Sequence, residues 1–252
     1  MYACMVLLLQ AAVSTALTCH RVPGRLRQID ASNGQVYGVG TNRRGYTWLE
    51  GRWVTLPGIL AHVSVGPTGV WAVGPQQELY RMVEGRWAML AGAPVPDRRG
   101  RAPDRGGGGT GPRHAFCSNR QAAVSARDFS SPAYSRVPGR LIYYSCGPIS
   151  CWGVDPSGRV MVRLGVQPQC CVGRSWRRLP SRMAMLEVAS DGTVYAVNRS
   201  GLLFRRLGIS RFNPVGSHWK KVDIVGRRFR HVTADLGAIW LVERNGNVVH
   251  CS

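Results

Sequence analysis

Acidic residues are scarce in this chain of 252 residues: 13 Asp and Glu stand against 33 Lys and Arg, which gives a formal net charge of +20. A field of that sign attracts nucleic acid, anionic membranes, sulfated glycans or lipopolysaccharide, and charge alone does not choose among these partners. Apolar residues make up 44% of the sequence. They are enough to fill a core, which excludes intrinsic disorder for most of the chain.

Long hydrophobic runs are also missing. Residues 1–18 carry no charge and hold an apolar run from Met5 to Leu9, far short of the roughly 20 residues that a membrane-spanning helix needs. Small residues, Ser14 and Ala16, follow at the spacing of a signal-peptide cleavage site. The sequence therefore predicts a secretory signal peptide at 1–18, a mature domain at 19–252, no transmembrane segment and an extracellular location. The alternative is a buried N-terminal strand.

Catalytic and metal-binding signatures are absent as well. The chain has no HExxH or G-x-S-x-G motif, its six histidines are scattered singly, and its few acidic residues show no paired spacing. The cysteines form no CxxC pair, so disulfide bonds are favoured over a metal site. We therefore expect no enzyme activity, no cofactor and no metal. Loss of Cys4 with the signal peptide leaves seven cysteines, which implies one unpaired or intermolecular thiol.

A repeated pattern organises the rest of the chain. A trio of the Val/Leu-Pro-Gly type recurs, with alterations, at 22–24, 56–58, 90–92, 137–139, 179–181 and, in degenerate form, 222–224. An aromatic residue stands three positions before five of these trios: Trp53, Trp87, Tyr134, Trp176 and Trp219. Downstream of most trios comes a second block of the type Val70-Trp71-Ala72-Val73. Two coinciding blocks indicate a true repeat.

Within each unit, apolar residues alternate with polar ones and Gly or Asn turns separate short strands, which is typical of propeller blades. Six units predict an all-β, six-bladed propeller whose tryptophans pack between neighbouring sheets. The third unit is degenerate, because residues 92–115 form a low-complexity Arg/Gly/Pro insertion with scarcely an apolar residue. The Gly106-x-Gly108-x-x-Gly111 match inside it follows no strand and precedes no helix, so it predicts no dinucleotide site.

Four segments resemble the tectonin-type propeller lectins and, within them, the fish-egg lectins. The segments are P-G-R-L-R-Q-I-D-A at 23–31, L-A-H-V-S-V-G-P-T-G-V-W at 60–71, Y-Y-S-C-G-P-I-S-C-W-G-V at 143–154 and H-V-T-A-D-L-G-A-I-W at 231–240. The resemblance implies a secreted six-bladed propeller that binds N-acetylglucosamine or bacterial surface glycans in egg or innate defence. It also implies disulfide bonds between Cys19 and Cys251, between Cys146 and Cys151, and between Cys117 and either Cys170 or Cys171.

Candidate carbohydrate-binding residues lie in and beside the turns of the units, because propellers bind ligands through loops and inter-blade grooves. They are the turn residues Asn42, Asp155, Asn198 and Asn245, with the aromatic residues Tyr46, Trp48 and Tyr80. Each turn residue could equally serve only to form its turn. Asn198 also begins the sequon Asn198-Arg199-Ser200, which makes it a candidate glycosylation site.

A second class of function competes with the lectin. The adjacent basic pairs would suit a polyanion such as heparan sulfate or lipopolysaccharide, although such pairs could equally keep the surface solvated. They are Arg43-Arg44, Arg177-Arg178, Arg205-Arg206, Lys220-Lys221 and Arg227-Arg228. We expect glycans as partners, with lipopolysaccharide or another anionic surface as the alternative, and no nucleic acid.

Overall fold

The computed structural model describes residues 17–91, 115–118, 120–130, 132–167 and 172–252, and the regular secondary structure of these residues is almost entirely antiparallel β-sheet. Residues 1–16 of the predicted signal peptide, residues 92–114 of the predicted insertion, and Cys170 and Cys171 lie outside the described residues. The elements are β1 (Cys19–Ser32), β2 (Gln35–Gly40), β3 (Arg44–Leu49), β4 (Arg52–Ile59), β5 (His62–Gly66), β6 (Gly69–Val73), β7 (Leu79–Val83), β8 (Arg86–Met89), β9 (Ala115–Ser118), α1 (Arg120–Ser125), β10 (Tyr134–Val137), β11 (Tyr143–Cys146), β12 (Cys151–Val154), β13 (Arg159–Leu164), β14 (Ser175–Arg182), β15 (Met185–Val188), β16 (Val194–Val197), β17 (Leu203–Arg206), β18 (Trp219–Val222), β19 (Phe229–Asp235), β20 (Ala238–Glu243) and β21 (Asn247–Cys251).

Three sheets each contain four strands that follow one another in chain order: β5 to β8, β11 to β14 and β15 to β18. Each is an up-and-down meander, as expected of a propeller blade. The predicted alternation holds in β5, where Val63 and Val65 are buried and Ser64 is exposed. The repeat in the sequence thus corresponds to a repeated four-stranded sheet.

Strand β1 is shared by two four-stranded units. In the seven-stranded sheet, ordered β19-β20-β21-β1-β2-β3-β4, the first part of β1 pairs with β21 and its second part pairs with β2. The register shifts between Val22 and Arg25, and Gly24 in this interval has a φ of +107°. β1 is therefore the outermost strand of the last four-stranded unit and the innermost strand of the first.

The third unit is reduced in the described residues to β9 and β10, which pair with each other. The short helix α1, which the sequence analysis did not predict, stands between them and is the only helix in the described part of the chain. No helix there is long and apolar enough to cross a membrane.

The repeated tryptophans lie in outermost strands: Trp53 in β4, Trp87 in β8, Trp176 in β14 and Trp219 in β18. Their indole groups bond the trio of the preceding unit. The Nε1 of Trp53 donates to the Pro23 carbonyl at 2.8 Å, and that of Trp87 donates to the Pro57 carbonyl at 3.0 Å. Trp176 donates likewise to the Pro138 carbonyl, and Trp219 donates to the Ser181 hydroxyl at 3.1 Å.

Tryptophans of neighbouring sheets also contact one another. The rings of Trp53 and Trp240 are 6.3 Å apart, and those of Trp152 and Trp219 are 6.0 Å apart. Trp53 lies in the first unit and Trp240 in the last, whereas Trp152 and Trp219 lie in consecutive sheets. The prediction that the tryptophans pack between neighbouring units is confirmed. In both contacts, one tryptophan comes from the position before a trio and the other from the second sequence block.

Gly24 and Gly58 occupy the same position of the trio but differ in what surrounds them, which yields a test. Both have positive φ, yet a Cβ on Gly24 would come within 2.9 Å of Trp53, whereas a Cβ on Gly58 would meet nothing within 4 Å. We expect Gly24→Ala to lower the free energy of unfolding by about 1 to 3 kcal/mol more than Gly58→Ala, because only the first adds a clash to the backbone strain. Urea denaturation of both variants measures this difference, and equal losses would contradict it.

Two predicted disulfide bonds are confirmed: Cys19 to Cys251 and Cys146 to Cys151. The first joins β1 to β21 across 232 residues of sequence, and the second joins β11 to β12 across five. Cys117 is disulfide-bonded too, and both of its predicted partners lie outside the described residues. The first bond locks the strand pairing through which the two ends of the repeat array meet.

Candidate glycan-binding site

The second and third strands of each complete unit are joined by a turn at the same end of the sheets, which we call the turn end. These connections, at 41–43, 74–78, 155–158, 198–202 and 244–246, contain the four candidate turn residues. The backbone of the next unit docks on them: Leu60 N donates to Arg43 O at 2.7 Å, and Met183 N donates to Gly158 O at 2.8 Å. This contact fixes each turn relative to the next sheet.

The side chains of all four candidates hold their turns together. Asn42 Oδ1 accepts the backbone N–H of Arg44 at 3.1 Å. Asp155 Oδ1 accepts that of Ser157 at 2.8 Å. Asn198 and Asn245 act in the same way, on the backbone N–H groups of Leu202 and Asn247 at 2.9 and 3.0 Å. Each residue therefore has a structural role, whether or not it also contacts a sugar.

Asp155 is held as a carboxylate by this turn. Burial acts to raise its pKa, but hydrogen bonds from Ser157 and Arg159 outweigh burial and hold the pKa below its ordinary value. The carboxylate is therefore charged at neutral pH, which suits an acceptor for sugar hydroxyl groups.

The three aromatic candidates fall into two kinds. Tyr46 and Tyr80 are half-buried and lie beside turns, where the Tyr46 hydroxyl accepts the amide of Asn42 at 2.8 Å. Burial raises the pKa of Tyr80, with the charge of Glu78 as a second cause. Trp48 instead packs between Trp53 and Trp240, with ring centroids 5.0 and 5.7 Å away, so much of its surface is already in contact with protein.

Most of the candidates are not brought together by the fold. Asn42 and Tyr46 are in contact, while Asp155, Asn198 and Asn245 each belong to a different unit. Successive turns are nevertheless linked by arginines: Arg199 donates to the Ser157 carbonyl at 3.4 Å, and Arg244 donates to the Arg199 carbonyl. The arrangement is a series of separate turn sites along one end of the sheets.

Asn245 also lines a cavity of about 440 Å³ at the turn end, which we call the arginine cavity. Its lining comes from β1, from the connection between β18 and β19, and from the turn between β20 and β21. The residues are Arg21, Gly226, Arg227, Arg228, Glu243, Arg244 and Asn245. Arg227-Arg228 is visible in the sequence as a basic pair, but the convergence is not, because Arg21 lies 222 residues from Glu243.

The basic pairs do not all lie on the surface. Arg206 is buried, donates to the Val215 carbonyl at 2.9 Å and stacks over Trp219. Arg163 acts similarly in β13, donating to the Val172 carbonyl and stacking over Trp176. These two guanidinium groups fasten the connections between third and fourth strands, so they do not add to an exposed charged surface.

A polar cluster lies where the innermost strands β11, β15 and β19 meet. The Tyr143 hydroxyl donates to Glu187 Oε2 at 3.2 Å and lies 3.1 Å from His231 Nε2. Ser145 donates to the other oxygen of Glu187. Asp30, on the innermost strand β1, accepts the backbone N–H of Val65 at 2.9 Å. Within the described ranges, no three His, Cys, Asp or Glu side chains are grouped as a metal site.

Burial dominates the protonation of this cluster. It raises the pKa of Glu187 to about 8, with the charge of Asp30 as a second cause, and raises the pKa of Asp30 to about 6. It lowers the pKa of His231 to about 3. His231 is therefore neutral at pH 7, and with its proton on Nε2 it can donate to Tyr143 while Tyr143 donates to Glu187.

The sequence is similar to a known protein family and to a curated protein. The family model described as Tectonin domain matches residues 25–244. The fish-egg lectin of Cyprinus carpio is 36% identical over 137 residues, which is 54% of this chain and 57% of that protein. The chain thus matches little more than half the length of that curated relative.

Solved structures resemble the chain in fold. Virginiamycin B lyase from Staphylococcus aureus superposes with a TM-score of 0.54 at 10% identity, covering 94% of this chain and 99% of the lyase chain. The WD40 β-propeller domain of Doa1 superposes with a TM-score of 0.51 at 9% identity, covering 92% and 95%. Identities this low show the fold alone, and the fold is a β-propeller.

Proposed function

Because the chain belongs to the Tectonin domain family, we propose that it is a secreted lectin that binds N-acetylglucosamine-type or bacterial surface glycans, in innate defence or egg protection. The similarity to a fish-egg lectin carries this proposal. The disulfide bonds Cys19–Cys251 and Cys146–Cys151 support an extracellular location, because such bonds persist in oxidising compartments. The protein acts by binding, without catalysis.

The proposed ring has six blades. Three are the separate four-stranded sheets, two are the halves of the seven-stranded sheet that share β1, and the pair β9 and β10 is the remnant of a degenerate third blade. The position of Tyr134 in β10 supports this count, since the aromatic residue of the repeat lies in the outermost strand of the other units.

Sugars are proposed to bind at the turn end, one site per turn. The strongest of these sites is the first, where the Asn42 amide and the Tyr46 hydroxyl are joined at 2.8 Å beside an exposed turn. An amide next to an aromatic ring matches a sugar, which offers hydroxyl groups at its edge and C–H groups on its face. Asp155, Asn198 and Asn245 provide the polar group in the other turns, and Tyr80 provides the ring beside the turn of the second unit.

The alternative function is binding of a polyanion such as heparan sulfate or lipopolysaccharide. The exposed arginines of the turn end favour it, among them Arg43, Arg44, Arg199 and Arg244. Ionic strength separates the two functions, because salt screens exposed charges while hydrogen bonds and stacking to a neutral sugar persist.

A glycan array probed at about 0.05 M and about 0.5 M salt tests the proposal. We expect N-acetylglucosamine-terminated glycans to keep their signal at high salt, and Asn42→Gly with Tyr46→Ala to reduce it at least tenfold. Asn33→Gly is the matched control, since Asn33 is an exposed residue of a turn at the opposite end of the sheets. Signals confined to anionic glycans and lost at high salt would overturn the lectin in favour of the polyanion binder.

A further inference from the structure

The arginine cavity has a large positive charge for its size. Four arginine residues and one carboxylate residue line it. The carboxylate is Glu243, whose side chain is 7% exposed. It accepts hydrogen bonds from Arg227 at 2.8 Å, from Asn247 at 3.1 Å and from Arg21 at 3.3 Å.

Glu243 positions Arg21 and Arg227, but it accepts only one hydrogen bond from each of them. Burial acts to raise its pKa, but the bonds from Asn247 and Arg227 and the charges of Arg21 and Arg227 hold the pKa below its ordinary value. Each guanidinium carries five N–H donors, and among the described residues the contacts of Arg21 and Arg227 use one apiece. The cavity therefore presents cationic donors beyond those that its own carboxylate takes up.

The directions from which the arginines approach the cavity limit the shape of the anionic group that can bind. Arg21 comes from the outermost strand, Arg227 and Arg228 from the connection after β18, and Arg244 from a turn. A planar carboxylate meets guanidinium donors in its own plane, whereas a tetrahedral oxyanion presents oxygens in several directions. Donors that converge from three elements suit the tetrahedral group.

The volume of the cavity suits a ligand larger than a bare phosphate or sulfate ion. About 440 Å³ falls in the range of small-molecule sites, and Asn245 adds an uncharged amide to the lining. We propose that the arginine cavity binds a phosphate or sulfate ester carried on a sugar, which rests on the proposed lectin function and names a class of its ligands. The ester occupies the guanidinium groups, and the ring lies toward Asn245.

Calorimetric titration with N-acetylglucosamine, its 6-sulfate and its 6-phosphate tests the assignment at fixed low salt. We expect each ester to bind at least tenfold more tightly than the neutral sugar. Arg228→Gln should remove most of that gain, whereas Arg178→Gln, the same charge change at an exposed position in β14, should keep it. The affinities of the 6-sulfate and the 6-phosphate show which ester the cavity prefers.

Glu243→Gln gives a second variant with the opposite expected sign. It keeps a hydrogen-bond acceptor in place and removes the negative charge, so both esters should bind several-fold more tightly. Equal affinities for esters and neutral sugar, or equal effects of Arg228→Gln and Arg178→Gln, would overturn the cavity site and leave the lectin standing. Failure of all three sugars to bind would overturn both.

Discussion

Replacing Cys19 and Cys251 by serine should lower the free energy of unfolding by about 5 kcal/mol, because their bond closes a loop whose ends lie 232 residues apart. In the chain-entropy treatment, such a loop restricts the unfolded chain far more than a short one does. A loss of this size equals the whole stability of many domains. The double variant is therefore expected to be largely unfolded at 37 °C.

The Cys146–Cys151 bond supplies the control. Its ends lie five residues apart, so its removal should cost only about 2 kcal/mol by the same treatment. Guanidinium denaturation of the three oxidised proteins, read by tryptophan fluorescence, gives the comparison. If the two double variants lose the same stability, the long-range bond does not act by closing the ring.

Stability should fall as the pH rises from 6.5 to 8, and Glu187→Gln should abolish this fall. The pKa of Glu187 is about 8 in the folded protein against an ordinary 4.5, so the folded state keeps a proton that the unfolded state has lost. Its contribution is complete below pH 4.5 and disappears as the pH passes 8. The histidines act oppositely: the pKa of His231 is about 3 and that of His62 about 4, so their contribution is complete above pH 6.5 and falls below it.

Above pH 6.5 the Glu187 effect is the largest in this cluster, since the pKa of Asp30 is about 6. We expect a loss of about 2 kcal/mol between pH 6.5 and 8. Urea denaturation at intervals of half a pH unit measures the slope in the wild type, in Glu187→Gln and in Glu50→Gln, an exposed carboxylate in the turn after β3. If the fall of stability with pH persists in Glu187→Gln, or also vanishes in Glu50→Gln, the fall comes from groups other than Glu187.

Much of the fold could be predicted because the repeat is a local signal. The trio and the aromatic residue before it mark outermost strands, and Trp53 shows why, since its indole bonds the Pro23 carbonyl of the neighbouring unit. The helix α1 could not be predicted in the same way. It lies in the unit where the repeat breaks down, and its six residues are too few to show a helical period.

The site was less predictable than the fold. Asn42 and Asn198 could be assigned to turns from their neighbours in sequence, but an amide that caps a turn and an amide that binds a sugar leave the same pattern. The convergence of residues in the arginine cavity leaves no pattern in the sequence, because Arg21 in β1 meets Glu243 in β20 only through the pairing of both strands with β21. Trp48 shows the same ambiguity for an aromatic residue, because this candidate ligand contact also packs between Trp53 and Trp240.

The double membership of β1 sets an order for biosynthesis. The chain segment that completes the last sheet is made first, and its partner β21 is made 200 and more residues later. At the usual rate of elongation, roughly 10 to 50 s separate the two. During that interval the outer edge of β1 has no partner strand, and the Cys19 thiol is exposed to five other cysteines as they emerge: Cys117, Cys146, Cys151, Cys170 and Cys171. Early closure of the short Cys146–Cys151 loop removes two of these five competing thiols before Cys251 arrives.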